Sequence, residues 1–177
     1  MPNHFSAGSQ GVIIGFDSEI ERESALNAAN FEIKRYNYQR TEEYGSGHFK
    51  LDGSTGEETL PVAGSYLSPD GKKLLLLVPD MKAVMQMEVG YKLTAKDGRK
   101  MHDHFYFTVN SADDMDLKKA GFEQVDLALL TSKKAEMATQ PVKVEIASAE
   151  KGQEIFQKMA CAGCHSPGTK TDGMYGP

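Results

Sequence analysis

The chain of 177 residues has no tryptophan and only two cysteines, and its apolar stretches fall far short of the ~20 residues that a membrane-spanning helix requires. No transmembrane segment is therefore expected. Both cysteines, Cys161 and Cys164, sit in a single CxxC, which excludes the multi-disulfide framework of small secreted folds. Basic charge is scarce as well. Against 25 Asp and Glu there are 20 Lys and Arg, for a net charge of −5, and no Lys/Arg cluster alternates with aromatics, so nucleic acid is not an expected partner. The opening residues, Met1-Pro2-Asn3-His4-Phe5-Ser6, lack the basic start and apolar stretch of a secretory signal peptide. No Ser-His-Asp order, phosphate-cradling Gly loop or paired-carboxylate motif stands out, so no enzymatic activity is expected of this chain.

What is present up to residue 131 is a succession of short strand signals. Gly11-Val12-Ile13-Ile14-Gly15-Phe16 is a short apolar run suited to a buried strand, and Ser18 followed by Glu21 fits a capping box opening a short helix toward Asn27. Residues 31–38 alternate apolar and polar at period two, with a phase flip near Lys34 and Arg35 that predicts a bulge. The Gly- and Ser-rich residues 44–59 predict a long loop, with strand signals resuming at Val62. Ser68-Pro69-Asp70-Gly71 predicts a tight turn joining strands at 64–67 and 74–78 into a hairpin. Met87, Val89, Tyr91 and Leu93 alternate, as do Phe105, Phe107 and Val109, and Lys96-Asp97-Gly98 turns between them to make a second hairpin. Short strands with almost no helical period predict a mainly β, antiparallel, immunoglobulin-like sandwich over residues 1–131.

Residues 132–144 lack periodicity and contain Pro141, which suits an exposed linker. Residues 149–159 then predict a helix with Ser148 as N-cap, running into Cys161-Ala162-Gly163-Cys164-His165. Two cysteines three positions apart on a helical turn can present both sulfurs to the vinyl groups of one haem edge. The histidine that follows is carried beneath the iron as its proximal ligand. A redox dithiol normally sits in a βαβ setting, which is absent here, and a structural zinc site needs four ligands, whereas no second Cys pair exists.

The residues around this motif resemble the N-terminal third of a class I c-type cytochrome. In that family a glycine and an aromatic four residues apart lead into CxxCH, here Gly152 and Phe156, and a Gly-Pro follows the histidine, here Gly176-Pro177. The resemblance covers residues 149–177 and implies covalent haem c on Cys161 and Cys164, His165 as the metal ligand, and the Pro177 carbonyl as acceptor for the proximal imidazole. The family's sixth ligand and closing helix lie beyond Pro177, and neither Met159 nor Met174 is placed to reach the distal face. Residues 145–177 are therefore expected to be a truncated, short α-helical cytochrome domain. The run from Leu60 to Gly71 and on through Met87 resembles a β-rich domain that precedes cytochrome c domains in large bacterial exported, dehydrogenase-like proteins. Together these resemblances imply one-electron transfer in a module of an exported protein, periplasmic or otherwise extracytoplasmic, with its export signal upstream. The expected partner is a redox protein or a dehydrogenase domain of the same parent chain. The rival expectation is a non-catalytic β-sandwich binding or spacer module with a redox-silent cytochrome segment.

Three weaker groupings occur in the β region. His102 and His104, two apart in a strand, share a face and are candidate metal ligands if His48 or Asp103 joins them, although surface histidines account for the same pattern. Met81, Met85 and Met87 suit core or edge packing. Tyr36, Tyr38 and Tyr44 suit either a carbohydrate-binding face or ordinary sheet positions with solvated hydroxyls.

Overall fold

A computed structural model describes residues 2–39 and 45–139. The chain divides into two units, Met1–Gln140 and Pro141–Pro177, and the description concerns the first. Its elements in order are β1 (Pro2–Gly8), β2 (Gly11–Phe16), α1 (Arg22–Leu26), a 3-10 turn at Ala28–Asn30, β3 (Phe31–Tyr38), β4 (His48–Phe49), β5 (Glu58–Leu60), β6 (Gly64–Leu67), β7 (Lys73–Leu77), β8 (Val84–Thr94), β9 (Lys100–Val109) and α2 (Ala128–Thr139). The unit is mainly β. One sheet has the order β1-β2-β7-β6 and the other β4-β3-β8-β9, with β5 also pairing β3, and every pairing is antiparallel.

The two sheets share one core. Val12, Ile14 and Phe16 of β2 and Leu74 and Leu76 of β7 pack with Ile33 of β3, Met87, Val89 and Tyr91 of β8, and Phe107 and Val109 of β9. The intervening side chains of the first sheet, Ile13, Leu75 and Leu77, form a second cluster with Phe122, backed by Val125, Leu129 and Leu130. β2 and β7 are thus covered on both faces, which is why their sequences are continuous apolar runs rather than alternating ones. β8 has one solvent face and alternates accordingly. Both predicted hairpins form, with Leu67 opposite Leu74 and Val89 opposite Phe105. Among the described residues no helix is long and apolar enough to cross a membrane.

Several local expectations need correction. Ser18 does not cap α1; Glu21 occupies that position without a side-chain cap, and Asn27 instead caps the 3-10 turn by accepting from the Ala29 N–H. No bulge interrupts β3, whose register with β8 is continuous from Phe31 to Tyr36. The phase flip arises because Arg35 points inward while its neighbour Tyr36 is buried on the opposite face. Inside the expected 44–59 loop, β4 and the start of β5 pair with β3. Residues 2–8, where no strand was expected, form β1, and residues 132–139, expected as linker, belong to α2. The apolar residues of α2 do not gather on one face. Leu129 and Leu130 meet the outer cluster, whereas Met137 meets the core between the sheets, so no helical period marks the segment.

Arg35 is 4% exposed and ties these parts together. Its Nε donates to Glu58 of β5 at 2.5 Å, its Nη1 to the Asp80 carbonyl at 2.5 Å, and its Nη2 to the Asp80 carboxylate at 3.0 Å. Lys82 at 2.9 Å and Lys134 of α2 at 3.2 Å complete the shell around Asp80. Burial pushes the Asp80 carboxyl up, but hydrogen bonds from Lys82, Arg35 and Lys134 outweigh it and hold the pKa at about 2. Asp80 also sits at φ +60°, a conformation that Asn tolerates as well as Asp.

Two outcomes follow. Asp80→Asn keeps the backbone and removes the charge, and should cost about 2 kcal/mol at neutral pH. Because the folded pKa lies below the ordinary 3.8, that contribution is complete above pH ~4 and disappears as pH falls through ~2, so urea midpoints of wild type and variant should converge there. A gap that persists unchanged at the lowest pH would show the loss to be steric. Gly11, at φ +139°, leaves no room for a side chain, since a Cβ would lie 2.0 Å from the Leu76 carbonyl oxygen and 2.8 Å from the Val78 nitrogen. Gly11→Ala should cost about 3 kcal/mol or more; a near-native denaturation midpoint would contradict the close approach of β7.

Candidate functional site

Cys161, Cys164, His165 and Pro177 lie outside the described residues, together with Ser148, the expected helix at 149–159, Met159, Met174 and Tyr44. Within the described residues, polar and aromatic groups converge on the outer face of the β4-β3-β8-β9 sheet. Period two places Lys34, Tyr36 and Tyr38 of β3 on that face because Ile33 and Arg35 take the inner one. Cross-strand pairing then sets Tyr38 beside His48, Tyr36 beside Gln86, and Lys34, Glu88 and Tyr106 in one row.

At one end of the face, the His48 ring stacks on Tyr36 with centroids 3.7 Å apart and planes 13° apart, and Tyr38 meets both rings edge-on at 5.6 and 5.7 Å. His48 Nδ1 lies 2.6 Å from Glu57, and Lys34 bridges Glu32 at 3.2 Å and Glu57 at 3.9 Å. Tyr36 is thereby buried. Burial first, and then its hydrogen bond to the Tyr38 hydroxyl, raises its pKa above the ordinary phenol value. At the other end, Glu88 gathers His104, with Nδ1 at 2.9 Å, and the Tyr106 hydroxyl, which donates to the same carboxylate oxygen at 3.3 Å. The negative charge of Glu88 is the main cause of the upward shift of the Tyr106 hydroxyl. Gly90 lies opposite His104, where a Cβ would stand 2.9 Å from the imidazole, so the glycine makes room for the ring.

His102 and His104 do share this face, with ring centroids 5.9 Å apart. The candidates His48 and Asp103 do not complete a metal site with them: His48 is committed to Glu57 and Tyr36. Among the described residues, no group of three or more His, Cys, Asp or Glu is placed to hold a metal ion. Met81 and Met87 are core residues, whereas Met85 is 49% exposed and its sulfur accepts from the Tyr38 N–H at 3.4 Å. The tyrosine grouping changes its membership. Tyr36 is too buried to be a contact surface, Tyr38 is 37% exposed, and Tyr106, not among the sequence candidates, is 55% exposed. The alternation of His102, His104, Tyr106 and Thr108 opposite Phe105, Phe107 and Val109 was the sequence signal for this second aromatic.

No protein-family model matches the chain, and no curated protein matches it. Solved structures with a similar backbone include the surface layer protein SbsC, domains 1-6, at 17% identity and TM-score 0.44, over 62% of this chain and 13% of that one. The copper resistance protein PcoC from Escherichia coli is similar at 12% identity and TM-score 0.39, over 62% of this chain and 99% of PcoC. CopC from Methylosinus trichosporium OB3b is similar at 14% identity and TM-score 0.35, over 65% and 97% of the two chains. The chain spans only about an eighth of the surface-layer protein it matches. At these scores the likenesses carry no functional argument, and function rests on the residues themselves.

The Tyr36 environment gives a direct test. Its hydroxyl should ionise only above the ordinary phenol range, so the ultraviolet phenolate titration of Tyr36→Phe should lack only the most alkaline component of the wild-type curve. A loss of amplitude in the variant within the ordinary tyrosine range would mean that the His48 and Tyr38 rings do not shield it.

Proposed function

We propose that this chain is a haem-carrying electron-transfer module of a larger exported redox protein, without catalysis of its own, acting outside the cytoplasm. The observation that carries this reading is Cys161-Ala162-Gly163-Cys164-His165, flanked by Gly152, Phe156 and Gly176-Pro177 as in class I c-type cytochromes. The donor set fits the group: two thiols spaced for thioether bonds and an imidazole next to them. Cys161 and Cys164 would fix the haem edge, His165 would ligate the iron, and the Pro177 carbonyl would accept from the other ring nitrogen and hold the imidazole's orientation. Bound haem supplies one-electron redox chemistry. The electron partner is a redox protein or a dehydrogenase domain of the same parent chain.

We further infer that the β unit is an immunoglobulin-like sandwich. In chain order, β1-β2-β7-β6 corresponds to the ABED sheet of that fold and β4-β3-β8-β9 to its C′CFG sheet, with β5 as an addition beside β3.

Intact mass and absorption spectra, taken after periplasmic co-expression with haem-maturation machinery, test the redox reading. The expected outcome is a mass gain of one haem and a sharp reduced α-band, both lost in the Cys161→Ala/Cys164→Ala double variant. Apo mass beside a control cytochrome that matures normally would leave the chain redox-silent and overturn the proposal.

A further inference from the structure

We propose that the outer face of the β4-β3-β8-β9 sheet binds a neutral, linear polysaccharide, with Tyr38 and Tyr106 as stacking platforms and the Gln86 amide between them. This function is independent of haem attachment at CxxCH, so either can fail without the other.

The register places the three residues on one line. Tyr36 pairs with Gln86, so Tyr38 lies two residues further along β3, while Tyr106, in the row of Lys34 and Glu88, lies two residues the other way on β9. Tyr38, Gln86 and Tyr106 therefore form a diagonal across three strands, spanning ~10 Å across the sheet and ~13 Å along it. A ligand that touches both rings must be extended, and a single sugar is too short.

The rings are exposed and yet held. Tyr106 is tethered through its hydroxyl to Glu88, and Tyr38 is held edge-on against the rings of Tyr36 and His48. Each keeps its exposed surface while its orientation is fixed, so little conformational entropy is lost when a pyranose face stacks on it.

The charges on this half of the face argue for a neutral ligand. Glu32 and Glu57 share Lys34, and Glu57 and Glu88 are each held within hydrogen-bond distance of a histidine, His48 and His104. A polyanion would meet these carboxylates, and a polycation would have to displace Lys34, His48 and His104 from them. Between the two rings lies the half-buried Gln86, whose amide offers both donors and an acceptor, the complement of vicinal hydroxyls.

Affinity electrophoresis of the full chain through gels containing hydroxyethyl-cellulose, xyloglucan, galactomannan, laminarin or dextran tests the proposal, with alginate as the anionic comparison. At least one neutral polymer should retard the protein, and the retardation should be insensitive to salt. Tyr38→Ala and Tyr106→Ala should each weaken binding about tenfold, the loss expected for one exposed aromatic anchor. Tyr106→Phe, which keeps the ring, should retain most of it, and Leu26→Ala, an exposed position on α1, should behave as wild type. Circular dichroism establishes that each variant is folded. The proposal is overturned if no neutral polymer retards the folded protein, if only alginate does so in a salt-sensitive manner, if the folded tyrosine variants bind as wild type, or if the face captures a protein partner and no polysaccharide.

Discussion

Two adjacent strands with no solvent face set the terms for everything else in this unit. β2 and β7 pair from Gly11 opposite Leu77 to Gly15 opposite Lys73, and the side chains of Ile13, Ile14 and Leu74 to Leu77 are all buried. Such a ladder must be covered twice. The second sheet covers one side, and residues 115–130 cover the other with Met115, Leu117, Phe122 and Leu129. The glycine at the start of β2 follows from the same constraint, because β7 approaches so closely that no side chain fits.

Burial on this scale leaves few places for polar groups inside, and the one charged side chain buried among the described residues, Arg35, has a hydrogen bond on each of its three nitrogens. Arg35 lies between Glu58 and Asp80, with Lys82 and Lys134 beyond, so one network holds β3, β5, the connection between β7 and β8, and α2. A buried guanidinium is tolerable only when it is paired and hydrogen-bonded, and here two carboxylates and a backbone carbonyl accept from its three nitrogens. The network fixes the elements in place, with Arg35 buried at its centre and Lys82 and Lys134 closing it on the solvent side.

The opposite face of β3 shows the other use of polar residues. Tyr36, Tyr38, His48, Glu57, Glu88, His104 and Tyr106 form a chain of stacked rings and paired charges on a sheet surface with one side in water. A single strand therefore supports structure with Arg35 and surface chemistry with its neighbours, and the pleat separates the two roles.

The mainly β character, both hairpins and their turns, and the shared face of His102 and His104 are legible in the order of residues alone. The sequence also contains Cys161-Ala162-Gly163-Cys164-His165, on which the proposed haem attachment rests. These are local patterns of period, turn chemistry and spacing, and they are complete within a few residues. That Arg35 is a buried residue rather than the site of a bulge follows from packing between the sheets. The same holds for α2, held by contacts at Asp80 and at two separate clusters without an apolar stripe, and for β1, which pairs through a polar sequence. Packing also selects which tyrosines form a face. Tyr36 and Tyr38 are neighbours in the chain, but burial removes the first and strand register supplies Tyr106 from 68 residues further on in its place. The reason is physical: burial and register depend on what packs across the sheets, and a short window of sequence does not contain its own partners.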